Sequence, residues 1–320
     1  MEFNSVVGHD FQKRMLSTLV EKGKLPHALL FAGPEGIGKR TLALELVKHL
    51  FCEKGTACAA CRPCRSLAAG RHPDLVVLKG EPSIKIEELR QIRKDVFEAP
   101  YEAPVRVILM DNGETMTREA ANALLKTLEE PPPSNLFFII TSREQEIPLT
   151  VGSRCMRLRF GPLPRDTVAA YYEKTLNVPA SRAQALAAVS GGSISAGVFW
   201  MDEENSRLRQ QVASLLLGAK RPFTGSALVA ERMAAKDCET QYLSFLLSFF
   251  RDVWWLCRTN DASGLFNRDL EEVMGKIGPK DAGWAETAIE KISETQRTLR
   301  YNVNRWLALE NLLHHITRPA

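Results

Sequence analysis

No stretch of this 320-residue chain comes near the ~20 consecutive apolar residues that a membrane-spanning helix needs. The greasiest runs, around Leu136 to Ile140 and Phe245 to Phe250, are far shorter, so spanning helices are excluded and no membrane is expected among its partners. The opening Met1-Glu2-Phe3-Asn4-Ser5 has no basic end followed by an apolar core, so no secretion signal is expected and the chain reads as soluble and cytoplasmic. Charge of either sign is hardly in excess. The 42 Lys+Arg against 38 Asp+Glu leave +4, too mild a balance to indicate a nucleic-acid binder by itself. Internal repeats and low-complexity tracts are also missing, which excludes a repeat array. At this length two or three domains can each bury a core.

Two further absences are single residues. Gly33-Pro34-Glu35-Gly36-Ile37-Gly38-Lys39 satisfies a phosphate loop as far as its lysine, but Arg40 stands where Ser or Thr would hold Mg²⁺. A guanidinium cannot coordinate a cation and repels one. Thr41 does not replace the missing ligand, because one residue along a helix turns a side chain by ~100°. Further on, Val107-Ile108-Leu109-Met110-Asp111 is an apolar strand ending in a carboxylate, as a Walker B strand does. Asn112 follows it where a Glu would orient the attacking water.

The candidate nucleotide site therefore comprises Gly33, Gly36, Gly38, Lys39, Arg40, Thr41, Asp111 and Asn112, with Thr141 at the end of a later strand. Glycines there let backbone N–H groups wrap a phosphate while the following helix presents its positive end. ATP or ADP can bind such a loop; hydrolysis in it is expected to be lost or very slow. The plainer alternatives are that Lys39 and Arg40 merely open a solvated helix, and that Asp111 is a surface turn residue.

Cysteine is the one unusual abundance, with seven in the chain. Structural disulfides are not expected in a cytoplasmic protein. Cys52, Cys58, Cys61 and Cys64 follow the spacing C-x5-C-x2-C-x2-C, and thiolates at x2 spacing converge on one side of a tight turn, as tetrahedral zinc requires. An iron–sulfur cluster is an alternative, although the Cys-Pro of the bacterial ferredoxin pattern is missing. Ordinary reduced thiols are another. Cys155, Cys238 and Cys257 are isolated and read as small buried apolar residues.

The order of elements gives the fold class. Residues 10 to 22 have the period of an amphipathic helix with Phe11, Met15, Leu16 and Leu19 on one stripe. Ala28 to Ala32 is an all-apolar run halted by Gly33-Pro34, which fits a strand buried on both faces of a parallel sheet. A helix resumes after Lys39 with Leu42, Leu46, Val47 and Leu50 on one face. Further strands are predicted at Leu75 to Leu78, Val105 to Met110 and Leu136 to Thr141, and a helix from Thr117, its N-cap, to Glu130, stopped by Pro131-Pro132-Pro133. This alternation predicts an α/β phosphate-loop domain with a parallel sheet. From Asp166 onward only helical periods occur, broken at Gly191-Gly192 and again near Gly218 to Thr224, and Trp254, Trp255, Trp284 and Trp306 fall in the last third. The expected boundaries are 1–162 for the α/β domain with its cysteine module at 52–64, 163–207 for a small helical lid, and 208–320 for an all-α collar.

Ala121-Asn122-Ala123-Leu124-Leu125-Lys126-Thr127-Leu128-Glu129-Glu130-Pro131-Pro132, Ser153-Arg154-Cys155, Val6-Val7-Gly8-His9 and the four-cysteine insertion together resemble the bacterial DNA polymerase III clamp-loader ATPases of the AAA+ class. The likeness covers roughly residues 1 to 200. In that family ATP-hydrolysing motor subunits share a ring with a delta-prime subunit whose own site is degenerate, and Arg40 and Asn112 resemble the latter. Gly192-Ser193-Ile194-Ser195 also lacks the arginine that motor subunits carry in the corresponding stretch.

The resemblance implies that Arg154, flanked by Ser153 and Cys155, is an arginine finger acting in trans on the neighbouring subunit's ATP. On its pattern alone, Arg154 equally begins a strand in which Arg157 and Arg159 face solvent. It further implies no intrinsic enzyme activity, a structural zinc, and gamma/tau-type motor subunits and a delta subunit as partners. The sliding clamp and primer–template DNA would be met through the assembled ring. The rival readings are a working motor-type ATPase that tolerates Arg40, and a scaffold carrying a nucleic-acid-binding zinc ribbon.

Overall fold

The computed structural model describes residues 1–320 except 82, 218–222, 235–237, 275–280, 300, 302 and 318–320. The chain forms two compact units, Met1–Thr167 and Val168–Ala320. Among the described residues no helix is long and apolar enough to cross a membrane.

The first unit runs α1 (Asp10–Glu21), β1 (Ala28–Ala32), α2 (Lys39–Phe51), α3 (Arg62–Ala68), β2 (Leu75–Lys79), α4 (Ile86–Asp95), β3 (Arg106–Asp111), α5 (Arg118–Glu129), β4 (Asn135–Thr141), α6 (Leu149–Gly152) and β5 (Met156–Arg159). Its five strands are all parallel, in the order β2-β3-β4-β1-β5. Successive side chains of a strand point to opposite faces, and here both faces are covered. Leu29, Phe31, Val107, Leu109, Phe138 and Ile140 pack with Leu16 of α1 and Leu42, Leu46 and Val47 of α2. Leu30, Ile108, Met110, Phe137 and Ile139 pack on the other side with Leu89 and Ile92 of α4 and Ala120, Leu124 and Leu128 of α5. Each such large side chain contributes about 1.5–3 kcal/mol by leaving water, so the unbroken apolar strands of the sequence are the core itself.

α5 begins where expected, with the Thr117 hydroxyl accepting from Ala120 N at 3.2 Å. α1 corrects one expectation: Leu16 is fully buried, but Phe11 of the same stripe is 66% exposed. Gln12 beside it donates to the Arg159 carbonyl of the edge strand β5, so the first turn of α1 sits at the sheet's rim, where no further strand can cover the ring.

Among its described residues the second unit forms helices and no strand: α7 (Arg165–Leu176, beginning at the end of the first unit), α8 (Ala180–Val189), α9 (Ile194–Met201), α10 (Glu203–Leu217), α11 (Phe223–Ala234), α12 (Glu239–Thr259), α13 (Glu271–Met274), α14 (Ala282–Thr298) and α15 (Arg305–Ile316). Gly191 and Gly192, both at positive φ, separate α8 from α9. The break expected near Gly218 to Thr224 falls partly on residues 218–222, outside the described residues. α10 runs without interruption across positions 207 and 208.

Candidate functional site

The loop after β1 is shaped by its glycines. Gly33 N donates to the Thr141 carbonyl at 3.3 Å, and a Cβ on Gly33 would lie 2.3 Å from the Phe160 carbonyl oxygen, so no other residue fits between β1 and the chain leaving β5. Gly36 and Gly38 have φ of 72° and 101°, a region that glycine enters without steric cost, and Gly38 caps α2. The loop is braced from outside by His9, whose Nε2 lies 2.8 Å from the Ile37 carbonyl. Burial lowers the His9 pKa, favouring the neutral ring.

Lys39 is only 6% exposed, and its ammonium donates to the carbonyls of Gly33 at 2.7 Å and Pro34 at 2.6 Å. Burial lowers its pKa, while Glu114, Glu35 and Asp111 pull the other way. Arg40 turns to the carboxylate at the end of β3, with Nε 3.1 Å from Asp111 Oδ2. Lys39, Arg40 and Asp111 are thus brought together. Thr41 is exposed on the outer side of α2, as its turn along the helix requires. Asn112 takes a left-handed backbone with φ 54° and opens a short helical turn, Gly113–Thr115. Thr141 is fully buried at the end of β4, and its hydroxyl accepts from Arg143 N at 3.0 Å.

Sequence reasoning missed Glu114. Its carboxylate accepts from the Ser142 hydroxyl at 2.7 Å and the Ser142 N–H at 3.2 Å, with Arg143 Nε at 3.5 Å. Burial pushes its pKa up, but the Ser142 hydroxyl, its own backbone N–H, the Thr141 hydroxyl and the Ser142 N–H together outweigh that and the net shift is downward. Glu114 ties the loop after β3 to the loop after β4. Gly113 before it packs so closely on Ile139 that a Cβ there would meet its Cγ2 at 2.4 Å.

The four cysteines meet. The Sγ atoms of Cys52, Cys58, Cys61 and Cys64 all lie within 4.8 Å of one another, a set that can hold a metal ion. Cys58 N–H donates to Cys52 Sγ and Cys61 N–H to Cys58 Sγ, each at 3.4 Å. Ala57 and Ala59 between them have φ of 52° and 55°, a backbone unfavourable for residues with a Cβ. For Cys52, burial opposes ionisation but N–H donors from Cys58, Lys54 and Thr56 prevail, bringing it to about 5. Burial pushes Cys64 up to about 12. Backbone N–H groups of Ala60 and Cys61 lower Cys58 as well, so the site favours thiolate at Cys52 and Cys58 while burial opposes it at Cys64, and four sulfurs so placed fit a metal of thiolate preference.

Arg154 takes its contacts from α5 and α6 rather than from the phosphate loop. Its Nη1 donates to the Thr150 carbonyl at 2.8 Å and to Ser153 Oγ at 3.4 Å, and its Nη2 is paired with the Glu129 carboxylate. Ser153 Oγ donates in turn to the Thr150 carbonyl at 3.2 Å. Cys155 is partly buried against the face of the sheet beneath α5, and burial pushes its thiol up to about 11, so it packs rather than reacts. Arg157 and Arg159 alternate outward from the buried Leu158 and lie 3.8 Å and 3.3 Å from Glu144 Oε1. In the second unit Ser193 caps α9 through Ala196 N at 3.2 Å, and the Ser195 hydroxyl lies 3.3 Å from that of Ser193.

A family model described as DNA polymerase III, delta subunit, matches residues 8–164. The chain is 30% identical over 326 residues to the DNA polymerase III subunit delta' of Pseudomonas aeruginosa, covering 95% of this chain and 96% of that one. It is 27% identical over 320 residues to the subunit delta' of Bacillus subtilis, covering 96% and 95%. With the subunit tau of Escherichia coli it shares 30% identity over 310 residues, 93% of this chain but 48% of that one; the chain thus spans about half the length of its tau relative. Among solved structures, a gamma subunit-related protein of Thermotoga maritima superposes with a TM-score of 0.46 at 17% identity, covering 94% of this chain and 98% of that one.

Proposed function

The chain belongs to the DNA polymerase III delta' family, and on that footing we propose that it is the non-hydrolysing member of a bacterial clamp-loader ring. The observation that carries this is the Arg40–Asp111 ion pair. The residue at the Mg²⁺-ligand position is a cation, and it is matched to the carboxylate that would otherwise help hold the metal. With Asn112 neutral, the position directly after Asp111 has no carboxylate to orient water. ATP or ADP binding remains compatible with the glycines and Lys39; turnover does not.

Arg154 is the residue this subunit contributes to chemistry. It is read as a finger that enters the ATP site of an adjacent gamma/tau-type motor subunit and stabilises charge on the transferring phosphate, an effect worth ~10³-fold or more at the site served. Cys52, Cys58, Cys61 and Cys64 would hold one structural zinc, since four thiolates close the coordination shell and leave no position for a substrate. Residues 163–207 serve as the lid and 208–320 as the oligomerising collar, the boundary falling within α10. The subunit completes the ring with motor and delta subunits, in the cytoplasm, to place the sliding clamp on primer–template DNA.

Reconstitution tests this reading. The chain alone is expected to turn over ATP at background, and a ring with candidate motor and delta subunits to hydrolyse ATP and load clamps only when this chain is included. Steady turnover by the chain alone that vanishes with Lys39→Ala would establish the motor-type reading instead.

A further inference from the structure

Arg154 is held from two sides. Thr150 and Ser153 belong to the short α6 segment that leads directly into it, so they travel with it. Among the described residues, Glu129 is its one side-chain partner from another element, the last turn of α5. A carboxylate at a helix C-terminus faces the negative end of the helix dipole, and here Glu130 follows it immediately. Such a placement is unfavourable without a cation alongside, and Arg154 supplies one. Pro131 and Pro132 then end the helix, fixing where Glu129 stands relative to the sheet.

The guanidinium is consequently oriented rather than loose. Nη1 is occupied by Thr150 and Ser153 and one N–H of Nη2 by Glu129, while Nε is buried without a partner. An arginine has five N–H donors in a rigid fork; with Nε buried, the second N–H of Nη2 is the donor left for an incoming phosphate oxygen. We propose that Glu129 is a positioning residue for Arg154, setting the rotation of the fork so that the free N–H of Nη2 meets a neighbour's phosphate. This rests on the finger reading above.

The test uses assembled rings containing Glu129→Ala, Arg154→Ala, or both. Glu129 is 49% exposed in its side chain, so the Glu129→Ala chain is expected to melt with the parent. Its ring is expected to lose on the order of tenfold in kcat at the served ATP site, since a small misplacement of an aligned group is costly. KM should be unchanged, because substrate binding is not touched. The double variant should be no slower than Arg154→Ala alone, as two residues acting through one guanidinium are not additive, and Glu129→Asp should recover part of the rate. Parental or raised kcat with Glu129→Ala, beside a clear loss with Arg154→Ala, would overturn the positioning role and leave the finger standing. A further loss in the double variant would overturn it likewise. An unaffected Arg154→Ala ring would overturn the finger reading and this inference together.

Discussion

Arg40 Nε lies 3.1 Å from Asp111 Oδ2, joining the first turn of α2 to the end of β3. β4 alone separates that strand from β1, whose end carries the loop, so Asp111 stands one strand across from the loop, where a Walker B carboxylate would stand. In a working phosphate-loop enzyme the two positions would share a metal ion; here they neutralise each other.

Replacing Arg40 by Thr should therefore restore a metal ligand without restoring catalysis. Nucleotide binding measured with and without Mg²⁺ is expected to become metal-sensitive, while ATP turnover stays at background because Asn112 is unchanged. Turnover by Arg40→Thr alone would mean that another group, such as Glu114, can orient water.

The same pair should matter little to stability. Arg40 is 51% exposed and Asp111 22% exposed in their side chains, and solvent-screened pairs contribute about 0–1 kcal/mol. Asp111→Asn is expected to shift the urea midpoint by no more than that corresponds to; a loss of several kcal/mol would assign Asp111 a structural part.

Metal analysis of the purified protein should find one zinc per chain. Serine at Cys52, Cys58, Cys61 or Cys64 should cost several kcal/mol, because binding energy at such a site is also folding energy. Iron with visible absorbance, or a protein whose melting a chelator does not change, would contradict the assignment.

Asp74 makes an acid-sensitive clamp. It is fully buried, and its carboxylate accepts from the N–H groups of Tyr101, Glu102 and Ala103 at 2.6, 2.8 and 2.9 Å. Burial pushes its pKa up, but those three donors prevail and the net shift is downward. A depressed carboxylate contributes fully above its unfolded pKa, ~3.9, and its contribution is lost as pH falls through the lower folded value. Asp74→Asn should thus cost ~2 kcal/mol or more at pH 7 and flatten the stability profile below about pH 4; denaturant melts across that range would decide it.

Arg157→Ala and Arg159→Ala are the controls for the finger. Both are exposed and face Glu144, so rings carrying either should keep the parental rate of ATP turnover and clamp loading. Losses equal to that of Arg154→Ala would mean that the three are equivalent strand arginines.

Local patterns were legible because they depend on near neighbours. Alternation along a strand places Leu29 and Leu30 on opposite faces whatever the strand pairs with, glycine spacing shapes the phosphate loop, and x2 spacing brings Cys58, Cys61 and Cys64 to one turn. The departures from a working phosphate-loop pattern were written in two residue identities, Arg40 and Asn112. The exposure of Phe11, the Glu114 link to Ser142, the grip of Asp74 on residues 101–103, the salt bridge of Arg40 to Asp111 and the seat of Arg154 on Glu129 were not legible. Each joins segments far apart in the chain, and each depends on the strand order β2-β3-β4-β1-β5. That order is chosen by which arrangement of the whole chain buries most apolar surface with its backbone groups paired, a quantity no short window of sequence contains.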